Sequence, residues 1–329
     1  MSLRSGAWTE RGAITEDRRI MAGVLTLGET MALFDGVEAS GLRSGQPFRL
    51  RIAGAESNFG IALRRLGIDV TWISRLGSDP LGDLIFETLA LEGLDLSLVR
   101  RAEAPTGVFL KWHEAGSNRV LYRRAGSAAS TLEPADVPDD AIERADLVHL
   151  TGITTALSGS ARETVVETAR RARAAGRIVT FDPNYRPALW SSPAAAEEAA
   201  REVLPFVNWV LCGLEEGCLL FAVASPGELR AAVQAAGAGD LAVRVGTGGA
   251  VIWRDQHELR VPPLRLEEVV DEIGAGDGFA AGFAFGLLRK LDPAACARAG
   301  NVIAARALRG TGDWETFPYL REVESELPG

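Results

Sequence analysis

The fold of this chain depends on one stretch, Val269-Val270-Asp271-Glu272-Ile273-Gly274-Ala275-Gly276-Asp277-Gly278-Phe279-Ala280-Ala281-Gly282-Phe283. The two valines are typical of the end of a buried strand, and the apolar run from Phe279 to Leu288 predicts a helix. A glycine turn that opens a helix leaves backbone N–H groups without partners, and the helix dipole adds partial positive charge there. The stretch therefore predicts a binding site for an anion, typically a phosphate.

Asp277 lies in the first turn of that predicted helix. A carboxylate beside a phosphate is electrostatically unfavourable, but it is well suited to accept a proton from a hydroxyl that attacks phosphorus. Aspartate at a helix start is also a common cap, so this residue alone leaves both interpretations open. The hypothesis is an anion hole formed by Gly274, Ala275, Gly276 and Asp277, with Asp277 as general base.

The composition of the 329-residue chain argues against several classes of protein. A net charge of −9 and a pI near 5.1 argue against nucleic-acid binding, which needs basic surfaces. No apolar run approaches the roughly 20 residues of a membrane span. Residues 1–20 lack the apolar core of a signal peptide and predict an N-terminal arm or extension. Cys212, Cys218 and Cys296 have no CxxC spacing, which predicts reduced thiols and a cytoplasmic protein.

Apolar strands alternate with amphipathic helices along most of the chain, a pattern typical of α/β proteins with a parallel sheet. The pattern breaks at residues 107–124, where two strands flank the loop Glu114-Ala115-Gly116-Ser117-Asn118 and predict a hairpin. Together with a strand at residues 48–52, this hairpin is expected to form a small sheet that covers the site.

Several polar side chains occupy positions where a ligand would bind. Asn58 falls one turn into a predicted helix, where asparagine is unfavourable, so we interpret it as a ligand-binding amide. Tyr122 and Arg124 are expected on one face of a strand and could bind a sugar acid, or simply form an exposed strand face. Arg186 follows a strand, where open α/β sheets place ligand groups, and suits carboxylate or phosphate.

A second set of residues is suited to a nucleotide and its metal ion. The cluster Gly246-Thr247-Gly248-Gly249 precedes a strand and would let a nucleotide lie close to the backbone. Glu215 and Glu216 follow another strand and could hold Mg²⁺, although such a pair is more often the first turn of a helix. Asp182 and Asn184 could likewise turn their loop or reach a metal ion.

These elements, in this order, resemble the ribokinase-like (pfkB) carbohydrate kinases from about Met21 to Trp314. Within that family the chain is most similar to the 2-keto-3-deoxygluconate kinases, on four stretches: 54–58, 122–128, 182–187 and 312–314. The resemblance implies an α/β three-layer sandwich with a central, mostly parallel sheet and a small β-sheet lid. It places the kinase domain at residues 21–320, with the lid formed from about 30–52 and 100–128.

The resemblance also implies a reaction and a set of site residues. The reaction would be transfer of the γ-phosphoryl group of ATP, with Mg²⁺, to the terminal hydroxyl of a sugar acid, with Asp277 as the base. The residues implied for the sugar are Gly54, Asn58, Phe109, Tyr122, Arg124, Arg186 and Asp313. Those implied for ATP are Asn184, Arg244, Gly246, Gly248, Gly249 and Asn301, while Glu216 would hold Mg²⁺ through water. A homodimer through the lid is expected.

The chain departs from the family pattern at several of these positions. Glu272 and Ile273 replace two threonines that often precede the Gly-Ala-Gly-Asp element. Gly213 replaces the asparagine of a magnesium-associated Asn-x-x-Glu pattern, Arg244 replaces a lysine, and Phe109 replaces a tyrosine. These changes are expected to alter nucleotide, metal or sugar contacts.

Three other functions remain as alternatives at this point. A fructokinase or other neutral-sugar kinase would have the same fold. A non-catalytic sugar-binding sensor would explain the departures in the loops. A dinucleotide-dependent oxidoreductase is disfavoured, because its glycine fingerprint directly follows a strand and has an acidic residue ~20 positions later.

Overall fold

The computed structural model describes residues 23–38, 41–114, 117–254, 257–264, 269–270 and 273–328. The predicted arm at residues 1–20 lies outside the described residues, as do Asp271 and Glu272. Fourteen strands occur in the described ranges: β1 (Gly23–Leu27), β2 (Met31–Gly36), β3 (Phe48–Ala53), β4 (Asp69–Ile73), β5 (Arg75–Gly77), β6 (Arg100–Ala102), β7 (Val108–Glu114), β8 (Ser117–Arg123), β9 (Leu147–Thr151), β10 (Ile178–Asp182), β11 (Trp209–Gly213), β12 (Asp240–Arg244), β13 (Ala250–Arg254) and β14 (His257–Val261).

Eleven α-helices occur in the same ranges: α1 (Ala55–Arg65), α2 (Pro80–Leu91), α3 (Asp139–Arg144), α4 (Gly152–Thr155), α5 (Gly159–Ala174), α6 (Pro193–Val203), α7 (Leu214–Leu220), α8 (Pro226–Ala235), α9 (Ala275–Leu288), α10 (Pro293–Ala307) and α11 (Leu320–Val323). Local sequence explains where several begin. The side chains of Asp79, Ser158, Ser192, Ser225 and Asp292 each accept a hydrogen bond from a backbone N–H in the first turn. Proline follows four of these caps, at the helical position that tolerates it best.

An eight-stranded sheet forms the centre of the molecule, in the order β14-β13-β12-β11-β10-β9-β1-β4. The strands from β12 to β4 run parallel, while β13 and β14 are antiparallel. Side chains alternate between the two faces, so Val24 and Leu25 enter different apolar clusters. Helices α3, α5, α6, α7 and α8 cover one face, and α1, α9 and α10 cover the other. This arrangement confirms the predicted three-layer α/β architecture.

A separate four-stranded sheet has the order β3-β2-β7-β8. Its inner face packs through an apolar cluster that includes Met31, Leu33 and Phe109, with the rings of Phe109 and Tyr122 5.4 Å apart. One register row on the opposite face consists of four apolar residues: Phe34, Leu50, Leu110 and Leu121. Residues 28–30 connect β1 of the central sheet to β2 of the small sheet, and Gly54 connects β3 to α1.

Helices α9 and α10 pack closely because small residues line their contact. A Cβ atom built on Gly282 would lie 2.5 Å from the carbonyl oxygen of Ala299, and one on Gly300 would lie 2.8 Å from the ring of Phe279. Only glycine allows the two backbones to approach to this distance. The position of α9, and therefore of its first turn, depends on this contact.

The described part of the chain contains no helix with both the length and the apolar character needed to cross a bilayer. All three cysteines are free thiols; Cys212 and Cys296 are buried and Cys218 is half-buried. The predicted reduced state of the thiols agrees with this arrangement.

The glycine contact between α9 and α10 can be tested with Gly282→Ala. The added methyl group meets backbone atoms that cannot rotate away, so we expect a loss of about 1–3 kcal/mol in the free energy of unfolding. Urea unfolding at equilibrium measures it. Gly159→Ala is the matched control: a Cβ there meets no atom within 4 Å, so stability should be unchanged or raised by up to about 1 kcal/mol. Equal stability of the two variants would contradict this account of the packing.

Candidate active site

The first turn of α9 presents unpaired backbone N–H groups towards the carboxyl ends of the parallel strands. Gly274 caps this helix with a φ of +77°, a conformation that favours glycine. A Cβ on this glycine would overlap the carbonyl oxygen of Asp313, so a side chain is excluded on steric grounds as well. The first intrahelical hydrogen bond runs from Gly278 N to Gly274 O, at 2.8 Å. The amides of residues 275–277 therefore lack partners within the helix, as an anion site requires.

Asp277 is held from across the site by the first turn of α1. The side-chain amide of Asn58 donates a 2.8 Å hydrogen bond to Asp277 Oδ2. Asn58 is itself buried, and its Oδ1 atom accepts no hydrogen bond from any described residue. The two residues, 219 positions apart in the chain, thus form one pair in which an amide orients a carboxyl group.

Burial raises the pKa of Asp277 to about 8. The hydrogen bond from Asn58 and the charge of Arg186 lower this pKa, whereas the carboxylates of Asp182 and Asp313 raise it. The carboxyl group therefore exchanges its proton at neutral to mildly alkaline pH, which suits a general base. The same shifts show that Asp182, Arg186 and Asp313 lie close enough to Asp277 to act on it electrostatically.

Arg244, which we expected along ATP, lies against the first turn of α9. Its guanidinium donates to Asp182 Oδ2 at 3.1 Å and to the Gly276 carbonyl at 3.4 Å, and lies 3.7 Å from Glu216 Oε2. The guanidinium carbon lies 5.8 Å from the centre of the Phe279 ring. Arg244, at the end of β12, thus links the end of β10 and helix α7 to the helix that carries Asp277.

Glu216 combines burial with a neighbouring negative charge. Burial and the charge of Asp182 raise its pKa to about 7, while Arg244, Arg186 and the backbone N–H of Tyr185 lower it. That N–H donates to Glu216 Oε1 at 2.6 Å. No group of three metal-ligating side chains occurs in the described ranges. A magnesium ion at Glu216 would therefore rely on water and phosphate oxygens, an arrangement that Mg²⁺ commonly adopts.

The loop after β10 carries two of the predicted ligand residues. Asn184 has a φ of +42°, and its backbone N–H donates to Asp182 Oδ1 at 2.9 Å. Its side-chain oxygen is buried and accepts no hydrogen bond from the described residues, so it is available to a ligand. Arg186 is exposed and donates only to the neighbouring Tyr185 carbonyl, at 3.3 Å, with no ion pair to any described residue.

Arg124 directly follows the last residue of β8, two positions after Tyr122. Its guanidinium forms a 2.6 Å ion pair with Glu29, which is 2% exposed. The hydroxyl of Ser127 also donates to Glu29. Burial raises the pKa of Glu29, and Arg124 lowers it. The sequence analysis missed Glu29. The only local signal is its position, two residues after the end of the apolar strand β1.

Gly54 and Glu56, at the start of α1, are both closely packed within the fold. A Cβ on Gly54 would overlap the carbonyl oxygen of Glu29 and lie 2.9 Å from Thr30 Cα, so Gly54 packs against the connection between the two sheets. Glu56 is fully buried and accepts hydrogen bonds from the hydroxyls of Thr151 and Thr154 at 2.5 and 2.6 Å. Burial raises the pKa of Glu56.

The remaining nucleotide candidates gather around the end of β14. The segment Gly246–Gly248 forms a tight turn, and a Cβ on Gly249 would lie 2.6 Å from the nitrogen of Pro263. Asn301, on α10, donates a 2.9 Å hydrogen bond to the Pro262 carbonyl. The glycine turn and Asn301 thus contact the same short segment.

Comparisons with known proteins agree with this geometry. The profile described as pfkB family carbohydrate kinase matches residues 21–318. A 2-dehydro-3-deoxygluconokinase of Bacillus subtilis is 36% identical over 306 residues, which cover 92% of this chain and 94% of the relative.

Solved structures show the same architecture. A PfkB protein from Polaromonas sp. JS666 is 35% identical and superposes with a TM-score of 0.81, covering 89% of this chain and 98% of that one. A fructokinase from Xylella fastidiosa, solved with bound ATP, has a TM-score of 0.83 at 24% identity, covering 93% and 98% of the two chains.

The raised pKa of Asp277 predicts a pH-dependent stability. Because the folded-state pKa exceeds the unfolded value, the wild type should lose stability as the pH rises from about 4 through about 8. Asp277→Asn removes this effect, so we expect it to unfold at a higher temperature than the wild type at pH 9 and at a similar temperature at pH 5. Thermal unfolding without ligands measures it, with the exposed substitution Glu87→Gln as control. An Asp277→Asn variant no more stable than the wild type at pH 9 would contradict the buried-carboxyl account.

Proposed function

The chain belongs to the pfkB family of carbohydrate kinases, and we propose that it phosphorylates a sugar acid, 2-keto-3-deoxygluconate, at its terminal hydroxyl with ATP. This compound is also called 2-dehydro-3-deoxygluconate, the name carried by the Bacillus subtilis relative. The predicted family and the ribokinase-like fold are thereby confirmed. The substrate and the roles of individual residues are the proposal.

One observation supports the catalytic assignment above the others: Asn58 holds the Asp277 carboxyl at the first turn of a helix whose opening amides are unpaired. In the proposed reaction Asp277 takes the proton of the terminal hydroxyl as the hydroxyl oxygen attacks the γ-phosphorus of ATP, and the bond from that phosphorus to the β,γ-bridging oxygen breaks, which releases ADP. The amides of residues 274–277 donate to the oxygens of the transferred group, where negative charge builds up. Base and donors share one helical turn, so they keep a fixed spacing.

The nucleotide is proposed to lie along Gly246, Gly248 and Gly249, with Asn301 near its base and Asn184 beside its phosphates. Support comes from the shared contact of the glycine turn and Asn301 with residues 262–263, and from the unpaired Asn184 side-chain oxygen. Magnesium would neutralise charge on the phosphates, with Glu216 holding it through water. Arg244, also assigned to ATP, lies beneath the first turn of α9, whose amides are proposed to bind the γ-phosphoryl group.

The acid end of the sugar is assigned to Tyr122, Arg124 and Arg186, with Gly54, Asn58, Phe109 and Asp313 around the rest of the molecule. Arg186 is exposed, and its guanidinium forms no ion pair with the described residues, so it can pair with a carboxylate. The charge of Arg124 is already balanced by Glu29, so it contributes mainly hydrogen-bond donors. Because Glu29 neutralises the charge of Arg124, the site also suits the second candidate, a fructokinase-like enzyme. In that enzyme both arginines would donate to neutral hydroxyls.

A homodimer through the small sheet is the proposed assembly. The outer row of Phe34, Leu50, Leu110 and Leu121 is apolar, and the Leu50 side chain is 49% exposed. A second copy of the chain fits this surface, because an uncharged row of this kind is complementary to itself across a two-fold axis.

Coupled ATP turnover on 2-keto-3-deoxygluconate, fructose and ribose tests the proposed reaction. The wild type should turn over the keto-acid best, and Asp277→Asn should lower kcat by about 10²–10⁴-fold because the base is lost. Arg186→Ala should raise KM for the keto-acid about tenfold or more, by loss of a charge-assisted contact, and leave turnover of any neutral sugar unchanged.

Three results would contradict this proposal. Turnover restricted to fructose or ribose would establish the neutral-sugar alternative. Arg186→Ala kinetics equal to those of the wild type on the keto-acid would remove the carboxylate assignment. Absence of ATP turnover with every sugar, in a folded protein that still binds one of them, would establish a sensor.

Light scattering tests the assembly. The wild type should have about twice the chain mass of 35.0 kDa, and Leu50→Glu should have the mass of one chain, because a charge would be buried in the apolar row. Leu91→Glu is the matched control: Leu91 is 88% exposed at the last position of α2 and is not part of the apolar row, so its variant should stay dimeric. A monomeric wild type would refute the dimer.

A further inference from the structure

Arg65, the last residue of α1, donates from all three guanidinium nitrogens within the fold. Its Nε and Nη2 atoms donate to the two carboxylate oxygens of Glu92, each at 2.9 Å. Its Nη1 atom faces three backbone carbonyls, of Trp314 at 3.2 Å, Glu315 at 3.2 Å and Phe317 at 2.8 Å. The side chain is only 7% exposed. A guanidinium can satisfy this many acceptors because its donors lie in one rigid plane.

The three carbonyls belong to the segment of residues 311–317, called here the C-terminal loop. Aromatic rings complete the contact: the guanidinium carbon lies 5.2 Å from the centre of the Trp314 ring and 5.0 Å from that of Tyr319. The indole N–H of Trp314 donates to the Ile52 carbonyl at 3.2 Å. Gly312 has a φ of +118°, so the loop makes a turn there that other residues would adopt only with strain.

The C-terminal loop also carries Asp313, whose carbonyl oxygen packs directly against Gly274 at the cap of α9. The Asp313 side chain is buried and raises the pKa of Asp277, so it faces the site. The opposite end of α1 carries Asn58, which donates to Asp277. One helix of 11 residues, about 16 Å long, therefore holds the candidate base at its first turn and the C-terminal loop at its last.

We propose that Arg65 is a positioning residue for the sugar site: it anchors the C-terminal loop so that Asp313 is held at the first turn of α9. The inference rests on the proposed kinase function, in which Asp313 contacts the sugar. Arg65 itself touches no reacting atom. Loss of its planar fork would leave three loop carbonyls without their donor and allow Asp313 to move away from Gly274.

Arg65→Lys is the informative substitution, because it keeps the positive charge and removes the fork. Arg64→Lys is the matched control: Arg64 is the preceding residue of the same helix and bonds Ile68 and Asp69, remote in sequence from the loop. We expect Arg65→Lys to raise KM for the sugar acid about tenfold with KM for ATP nearly unchanged, and Arg64→Lys to change neither by more than about twofold.

A double-mutant cycle with Asp313→Asn separates positioning from general destabilisation. If Arg65 acts through Asp313, Arg65→Lys should add less than about a twofold change in sugar KM once Asp313 is already altered. An equal fold-change in both backgrounds would overturn the proposal. So would a lowered unfolding temperature in Arg65→Lys with an unaltered sugar KM.

Amide hydrogen exchange without sugar or nucleotide gives a second test that does not depend on the substrate. In Arg65→Lys we expect exchange at least about fivefold faster in residues 311–317 and at the Gly278 amide, which makes the first hydrogen bond of α9, with no change in Arg64→Lys. Unchanged exchange at the Gly278 amide would overturn the positioning role even if turnover supports the kinase. If the expected exchange pattern is found but the protein phosphorylates no sugar, the proposed function is refuted, whereas the anchoring of the C-terminal loop by Arg65 is supported.

Discussion

The contact between the cap of α9 and the C-terminal loop is the constraint on which the site depends. The carbonyl of Asp313 occupies the space that any side chain at Gly274 would need, and Asn58 donates to Asp277 one turn further on. Three segments that are distant in sequence thus meet at one helix end. They can do so because the glycines of α9 allow close packing against α10, which fixes the height of that end above the sheet.

Negative charge is concentrated around this helix end. The charges of Asp182 and Asp313 act on Asp277, and burial raises the pKa of Asp277 to about 8. The guanidinium of Arg244, which donates to Asp182, neutralises part of this negative charge, while Arg186 remains exposed. The Asp277 carboxyl group is therefore mostly protonated at neutral pH, and a carboxyl group that is unfavourable to ionise in the folded state costs stability as the pH rises.

The parts of the fold that were predictable are those with a local signal. A glycine turn followed by an apolar run identifies α9 and Asp277, because helix starts are encoded within a few residues. Two other contacts join residues far apart in the chain, so no nearby sequence pattern predicts them. They are the ion pair of Glu29 with Arg124 and the hydrogen bonds from Arg65 to the C-terminal loop. The contacts of Glu56 were likewise not predictable, because its partners, Thr151 and Thr154, lie about a hundred residues away.

A crystal structure with a non-hydrolysable ATP analogue and 2-keto-3-deoxygluconate would test the central claim most directly. We predict that the terminal hydroxyl lies within hydrogen-bond reach of Asp277, that the γ-phosphate accepts from the amides of residues 274–277, and that the carboxylate lies at Arg186. A sugar bound with its carboxylate at the first turn of α9, or a γ-phosphate remote from those amides, would contradict the account.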